Sequence, residues 1–514
     1  MTTEKNNSKS RIICIGLFVV YAVLTLIGAF RHELWFDEAQ AWTIARDNDL
    51  KGLFEQLRYE GHPPLWYMIL FVFSRLGFSC NIMPFISWFF TCLAAAIIMF
   101  KSPFSTVTKA LLIFSGGFLF FNSVMSRTYC LITLFLVLIA VLYPKRKEHP
   151  VIFGTLVALL ANTHICVSGF IGAMGLIMLH DIYCDWKTNS AKKNVLNLAG
   201  LAIAGIGVLM LVIPLIGSLS SNSITSGMSM TAQSVLSALS TSLFDTSFML
   251  LGAYLHSEYL LSSMLAILFV ILLILMRHKI RPFLILALSV IFYIISSEII
   301  WFSSPHRVHV FLLFFVITIW ISETEPQNKC AEIWNKFNPK TESKLVQKLI
   351  NAIKRADTNF KKSYITVLSI ILFCSIPIGV KYLRLDYVKP FTPAKQVAEL
   401  IRETIPADSV LICISDAPSE VAAYLPEYKF YTYQEHDFCT YDTHKNYDET
   451  IDYTDEIYND LKDYENLYML RLIPDINAVE SNRNIVIKIR GNITYGGNSA
   501  YIEVSTFDAE KGIK

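Results

Sequence analysis

Charge is scarce in this chain. Asp, Glu, Lys and Arg make up 17% of its 514 residues, beside 54% hydrophobic residues, whereas soluble domains carry about 25% charged residues. Paired cysteines are missing too: the ten cysteines are scattered, mostly inside apolar runs, with no C-x-x-C pair. A zinc site or disulfide framework is therefore not indicated. There is no Gly-rich phosphate loop, no internal repeat and no low-complexity linker. The net charge of +2 hides a split, because residues 381–514 hold 14 Lys and Arg against 23 Asp and Glu, a net of −9, leaving +11 for the rest. An acidic tail without a basic patch argues against nucleic acid as a partner.

What the chain has is long apolar runs, near 12–30, 82–100, 109–125, 128–143, 150–163, 165–183, 195–217, 259–276, 283–301, 308–321 and 364–381. Several reach the roughly 20 residues that cross a bilayer core. The first follows a basic leader (Lys5, Lys9, Arg11), lacks a small-residue cleavage site and reads as a retained helix. The fold class is thus an α-helical polytopic membrane protein of about eleven spans.

Basic residues favour the cytoplasmic side. The clusters 101–109, 144–149, 186–193, 277–281 and 323–362 fall on one side if the N-terminus is inside and eleven helices cross. Within the last, Leu345, Leu349 and Ile353 share one helical face, as in a helix lying on the inner surface. "PPLWYMILFVFSRLGF" (63–78) is apolar but short, and it stays on the outer side as a re-entrant or interfacial segment. Residues 1–383 then form the membrane domain with a first outer loop at 31–81, and 384–514 an extracytoplasmic domain. There "AKQVAELIRETI" and "APSEVAAYL" read as helices, and "SVLICIS", "KFYTY", "NIVIKIRG" and "AYIEVSTF" as strands. "DETIDYTDEIYNDLKDYENLYML" reads as an acidic helix. The alternation predicts a small α/β domain.

Polar residues of the apolar part collect on the outer side. Loop one carries Asp37 and Glu38 in "LWFDEAQAW" and Glu60 and His62 in "YEGHPPLWY". Later outer turns carry Arg127 and Tyr129, Asn162 and His164, then His306, Arg307 and His309. Each has a plainer use: Arg127 and Arg307 as snorkelling helix-end residues, His164 in packing, Asp37 as a helix cap, "HPP" as a helix start. Their gathering on one side favours a site. A carboxylate beside Trp35, Phe36 and Trp42 is partly desolvated, which pushes it toward general-base range. Arginines facing it suit a phosphate, and aromatic rings suit a sugar or an isoprenoid chain. The chemistry is that of a lipid phosphate reacting at the outer surface. A transporter would need carboxylates near the midplane, where only Glu298 hints at one.

"FDEAQAW" in the first outer loop, then "GHPPLWY" opening an apolar segment, then Arg127-Thr128-Tyr129 in a later outer turn, resembles the polytopic glycosyltransferases of the C-type fold. Among them it is similar to the family-39 relatives of protein mannosyltransferases and of the aminoarabinose lipid A transferase. The resemblance implies transfer of a sugar from a polyprenyl-phosphate donor to a lipid, glycan or protein acceptor at the outer leaflet, with inversion. It implies Asp37 as general base, helped by Glu38, and Arg127, Tyr129 and Arg307 on the donor phosphate. Glu60, His62, His164 and His306 would bind substrate. Ser126 stands where the family often has an acidic residue, so no metal ligand set and no certain cofactor is assigned, and a divalent cation stays open. The alternatives are a lipid-linked polysaccharide ligase or polymerase, and a transporter or flippase of lipid-linked sugars.

Overall fold

The computed structural model describes residues 2–220, 280–299, 305–326, 360–388, 392–413, 418–433, 435–443, 454–474, 485–490 and 500–507, with a few isolated positions besides. The chain is mostly helical, with a small sheet near its C-terminal end. The helices are α1 (Thr2–Arg31), α2 (Phe36–Asp47), α3 (Leu50–Glu60), α4 (Leu65–Arg75), α5 (Met83–Lys101), α6 (Thr106–Ile113), α7 (Tyr129–Leu142), α8 (Pro150–Ala161), α9 (Ser168–Asp185) and α10 (Ala191–Ser220). Then follow α11 (Ile280–Ile299), α12 (Pro305–Ser322), α13 (Phe360–Val388), α14 (Ala394–Thr404), α15 (Pro418–Ala422) and α16 (Thr454–Leu461).

Among the described residues five helical segments are long and apolar enough to cross a membrane: 8–31, 80–101, 165–185, 191–216 and 364–388. Shorter apolar helices cover 65–75, 129–145, 150–161, 280–296 and 309–322. This is a multi-pass membrane protein. The run expected at 259–276 and the amphipathic helix at 345–353 lie outside the described residues, apart from isolated positions. Helix α4 has 11 residues, about 16 Å of rise, too short to cross a bilayer core.

The run at 109–125 departs from the expected continuous helix. It is α6, then a π-helical turn at Gly117–Phe121, then an irregular stretch to Thr128. The break has a packing cause. A Cβ on Gly116 would lie 3.0 Å from the Ser375 carbonyl, and one on Gly379 would lie 2.6 Å from the Gly116 Cα. Two glycines thus let α13 and the turn touch backbone to backbone, leaving 122–128 to run along the mouth of the bundle. Small residues bring α8 and α10 together likewise, for a Cβ on Gly154 would fall 2.0 Å from the Gly200 carbonyl oxygen.

Among the described residues the sheet has six strands in the order β3-β2-β1-β4-β6-β5: β1 (Val410–Cys413), β2 (Lys429–Thr432), β3 (Asp437–Phe438), β4 (Leu467–Pro474), β5 (Ile485–Arg490) and β6 (Ala500–Thr506). β1 pairs in parallel with β2 and β4, and the remaining pairs are antiparallel. One expectation needs correcting. Among the described residues of the acidic segment 448–470, which begin at 454, the helix is α16, and the segment's end, "LYML", opens β4 at the centre of the sheet. Alternation of apolar and polar residues was too short there to outweigh the helical spacing before it.

Apolar burial makes two large cores. One lies inside the bundle and gathers Tyr21, Phe118, Phe121, Tyr129, Phe170 and Phe314. The other joins the first loop to the sheet region: Leu34, Trp42, Ile44 and Leu57 pack in one cluster with Val397, Ile401, Leu425 and Val504. The loop and the C-terminal region are therefore folded against each other.

Candidate active site at the mouth of the bundle

Helix α2 starts five residues after α1 ends. Its first turn is fastened by Glu38, whose Oε2 accepts from the Trp35 backbone N–H at 3.0 Å, the reach-back half of a capping box. The capping role considered for Asp37 thus falls to its neighbour. Asp37 projects instead toward Arg127, and its Oδ2 lies 2.6 Å from Nη1. The carboxylate is 27% exposed and the guanidinium 8%, so the pair sits at the edge of the protein with the acid facing outward. Burial works against the Arg127 charge, and Asp37 outweighs it, holding the guanidinium above its ordinary value.

Glu38 is fully buried and has further partners. It accepts from the Ser126 backbone N–H, one residue before Arg127, and lies 2.9 Å from His32 Nε2. The other ring nitrogen of His32, Nδ1, lies 3.0 Å from Asp386 Oδ2 on α13. Asp37 therefore faces outward while Glu38 ties together the first loop, the 122–128 turn and α13.

Other expected residues fall nearby. Tyr129 opens α7 under Arg127, and its ring lies 5.0 Å from His309 and 6.1 Å from His164. His62 stands 5.7 Å from His164 and 6.4 Å from Tyr67. His62 Nδ1 donates to the Glu60 carbonyl at 2.7 Å, and His164 Nδ1 accepts from the Cys166 N–H at 3.1 Å. The carboxylate of Glu60 accepts from Gln40 at 3.0 Å, from Gln56 at 3.3 Å and from Tyr67 at 3.4 Å. So loop one and the turns at 127 and 164 do meet, as an aromatic and imidazole wall beside Asp37 and Arg127. His306 and Arg307 belong to the first turn of α12, and their side chains lie outside the described residues.

Three acidic residues and a histidine escaped the sequence reading. His32 and Asp386 are 354 positions apart, and no spacing rule could join them. Glu33 is pushed up to about 7, by burial first and by Asp386, against the pull of Lys395. Glu420 on α15 is buried and takes the Phe36 backbone N–H. Its carboxyl is raised to about 7 by burial, with Asp37 and Glu38 adding to the rise. Among the described residues no group of three His, Cys, Asp or Glu side chains is arranged to hold a metal ion.

No family model and no curated protein matches the chain. Among solved structures it is similar to ArnT from Cupriavidus metallidurans bound to undecaprenyl phosphate, at 10% identity over 95% of this chain and 97% of that one, with a TM-score of 0.42. It is similar also to the apo state of the same protein, at 10% identity, the same coverage and a TM-score of 0.44. A likeness at this level leaves the reading of the site to the chain's own residues.

Proposed function

We propose that this protein is a membrane glycosyltransferase that moves a sugar from a polyprenyl-phosphate donor to an acceptor hydroxyl at the outer face of the membrane. The observation that carries it is the Asp37–Arg127 pair, an outward-facing carboxylate 2.6 Å from a buried guanidinium at the bundle mouth. The first-loop motif resemblance supplies the donor class. The acceptor oxygen attacks the anomeric carbon from the face opposite the phosphate. Its proton passes to Asp37, the bond from the anomeric carbon to phosphate oxygen breaks, and the electron pair leaves with the phosphate.

Arg127 meets the negative charge that grows on that phosphate. In the resting arrangement one arm of the guanidinium is engaged by Asp37. A donor phosphate competes for that arm, and every step of its approach frees the carboxylate to act as a base. Tyr129, His62 and His164 wall the same space. Glu38, saturated by His32, Trp35 and Ser126, keeps Asp37 and Arg127 in register rather than meeting substrate itself. Glu60 plays a comparable part through Gln40 and Gln56.

The test is genetic and chemical together. A strain lacking the gene should lose one sugar from its surface glycans by mass spectrometry, and the wild-type gene should restore it. Asp37→Asn should restore nothing while inserting normally, since a lost general base costs ~10²–10⁴-fold in rate. Full restoration by D37N would remove the base from the mechanism.

A further inference from the structure

His32 is a buried histidine between two carboxylates, Glu38 Oε2 at 2.9 Å from Nε2 and Asp386 Oδ2 at 3.0 Å from Nδ1. Carboxylate oxygens only accept, so each ring nitrogen must carry its proton for both bonds to exist. From this geometry we infer that His32 is held as an imidazolium and is a positioning residue: a charged clasp that fixes the Asp37–Arg127 pair to the last helix of the bundle. The inference rests on the proposed role of that pair and adds the means by which the rest of the protein sets its geometry.

The clasp has three arms. Through Glu38 it reaches the Trp35 and Ser126 backbone N–H groups, two residues before Asp37 and one before Arg127, on two separate segments. Through Asp386 it reaches α13, which leads into the C-terminal region. That region grips the same loop from its other side. The Tyr424 hydroxyl accepts from Leu34 N–H at 2.9 Å, and the Arg46 guanidinium donates to the Ala422 carbonyl at 3.0 Å. Gln40 exchanges hydrogen bonds with the Asp442 backbone, 2.6 Å to the carbonyl and 3.0 Å from the N–H. The C-terminal region thus builds one side of the active site.

Glu38 comes from α2, Asp386 from α13 and Glu33 from its own loop; Arg127 of the 122–128 turn and Glu420 of α15 lie within electrostatic reach of Glu38, and Lys395 and Glu399 of α14 within reach of Glu33. Phe120 packs edge-on against the ring at 6.2 Å. Burial works against the charged imidazole, and the two carboxylates outweigh it, raising His32 well above an ordinary histidine. A raised value means that the clasp is complete below the ordinary imidazole range and is lost as pH rises through the folded-state value. Removing one carboxylate must bring that loss to lower pH.

The experiment compares the full-length protein with Asp386→Asn and His32→Gln, purified in nanodiscs, over pH 6 to about 10. Two curves are read: the unfolding temperature, and binding of undecaprenyl phosphate as a probe for the Arg127 site. The amide oxygen that D386N introduces still accepts the ring N–H but offers no charge. D386N should therefore move the alkaline fall of both curves down by about one pH unit or more. H32Q should flatten the alkaline fall in stability. If H32Q does not fold, D386N alone decides. D386N curves that superimpose on wild type would overturn the clasp and leave His32 a neutral packing residue. A wild-type protein that binds no undecaprenyl phosphate, yet shows the shift in stability, would refute the donor assignment and leave the clasp standing.

Discussion

Neighbouring carboxylates at one helix start do different work because one is buried and one is not. Asp37 and Glu38 were legible as a pair from the sequence, since one helix cap does not account for two acids behind an apolar run and between aromatic residues. Their division of labour was not legible. It depends on His32, Ser126 and Asp386, and the last of these arrives from 348 residues further along the chain. Glu420 was likewise hidden in an ordinary helical stretch, and only the fold sets it against the Phe36 N–H. Its carboxyl lies at about 7 in the folded protein, above the ordinary 4.5. The stability it contributes is therefore complete below the ordinary value and is lost as pH rises to about 7 and beyond, a loss of about 3 kcal/mol for a shift of this size. Glu33 shifts in the same direction and adds to the same window. Glu420→Gln keeps an acceptor for the Phe36 N–H but cannot ionise. Unfolding temperatures followed from pH 4 to about 8 should fall in the wild type and fall less in E420Q, making the variant the more stable protein at the upper end. Parallel curves would show that Glu420 does not carry the titration.

Among elements, the least expected is the π turn at Gly117–Phe121. Hydropathy alone reads 109–125 as one helix, because every residue around the break is apolar or small. What breaks it is the backbone contact between Gly116 and Gly379, a tertiary contact whose one local sign is the Gly116-Gly117 pair. The turn starts the stretch that carries Ser126 and Arg127, and α13 carries Asp386, so this contact sets the spacing between two parts of the site. Gly379→Ala would place a methyl group 2.6 Å from the Gly116 Cα, where nothing but backbone can yield. Overpacking of this kind costs about 1–3 kcal/mol. The variant should melt several degrees lower and bind undecaprenyl phosphate more weakly. A neutral outcome would mean that α13 and the turn slide apart without consequence. Elsewhere the sequence was more transparent: the strands at 410–413, 429–432, 485–490 and 500–506 and the helix at 394–404 follow from local patterning, whereas β4 did not, following as it does directly on an acidic helix.

At the scale of the whole molecule one end of the bundle gathers charged pairs and the other carries Asp37 and Arg127, and the proposed topology rests on their separation. Positive clusters far apart in sequence meet at one end of the bundle. Arg146, beyond the end of α7, binds Asp181 at 2.7 Å; Arg281, at the start of α11, binds Asp181 at 2.8 Å and Glu325, just past α12, at 3.2 Å; Lys147 binds Asp185 at 2.7 Å. Tyr129, Arg127 and Asp37 lie at the opposite end of α7. The positive-inside rule puts the first end in the cytoplasm and the reactive mouth, with the C-terminal region packed on it, outside. The acidic character of 381–514 does not oppose this, because Asp and Glu do little to hinder translocation. An alkaline phosphatase reporter, active only outside, should therefore be active when fused after Lys514 and silent when fused within 340–350. The reverse pair of activities would put Asp37 and Arg127 on the cytoplasmic face, where nucleotide sugars are at hand and a lipid-linked donor has no advantage.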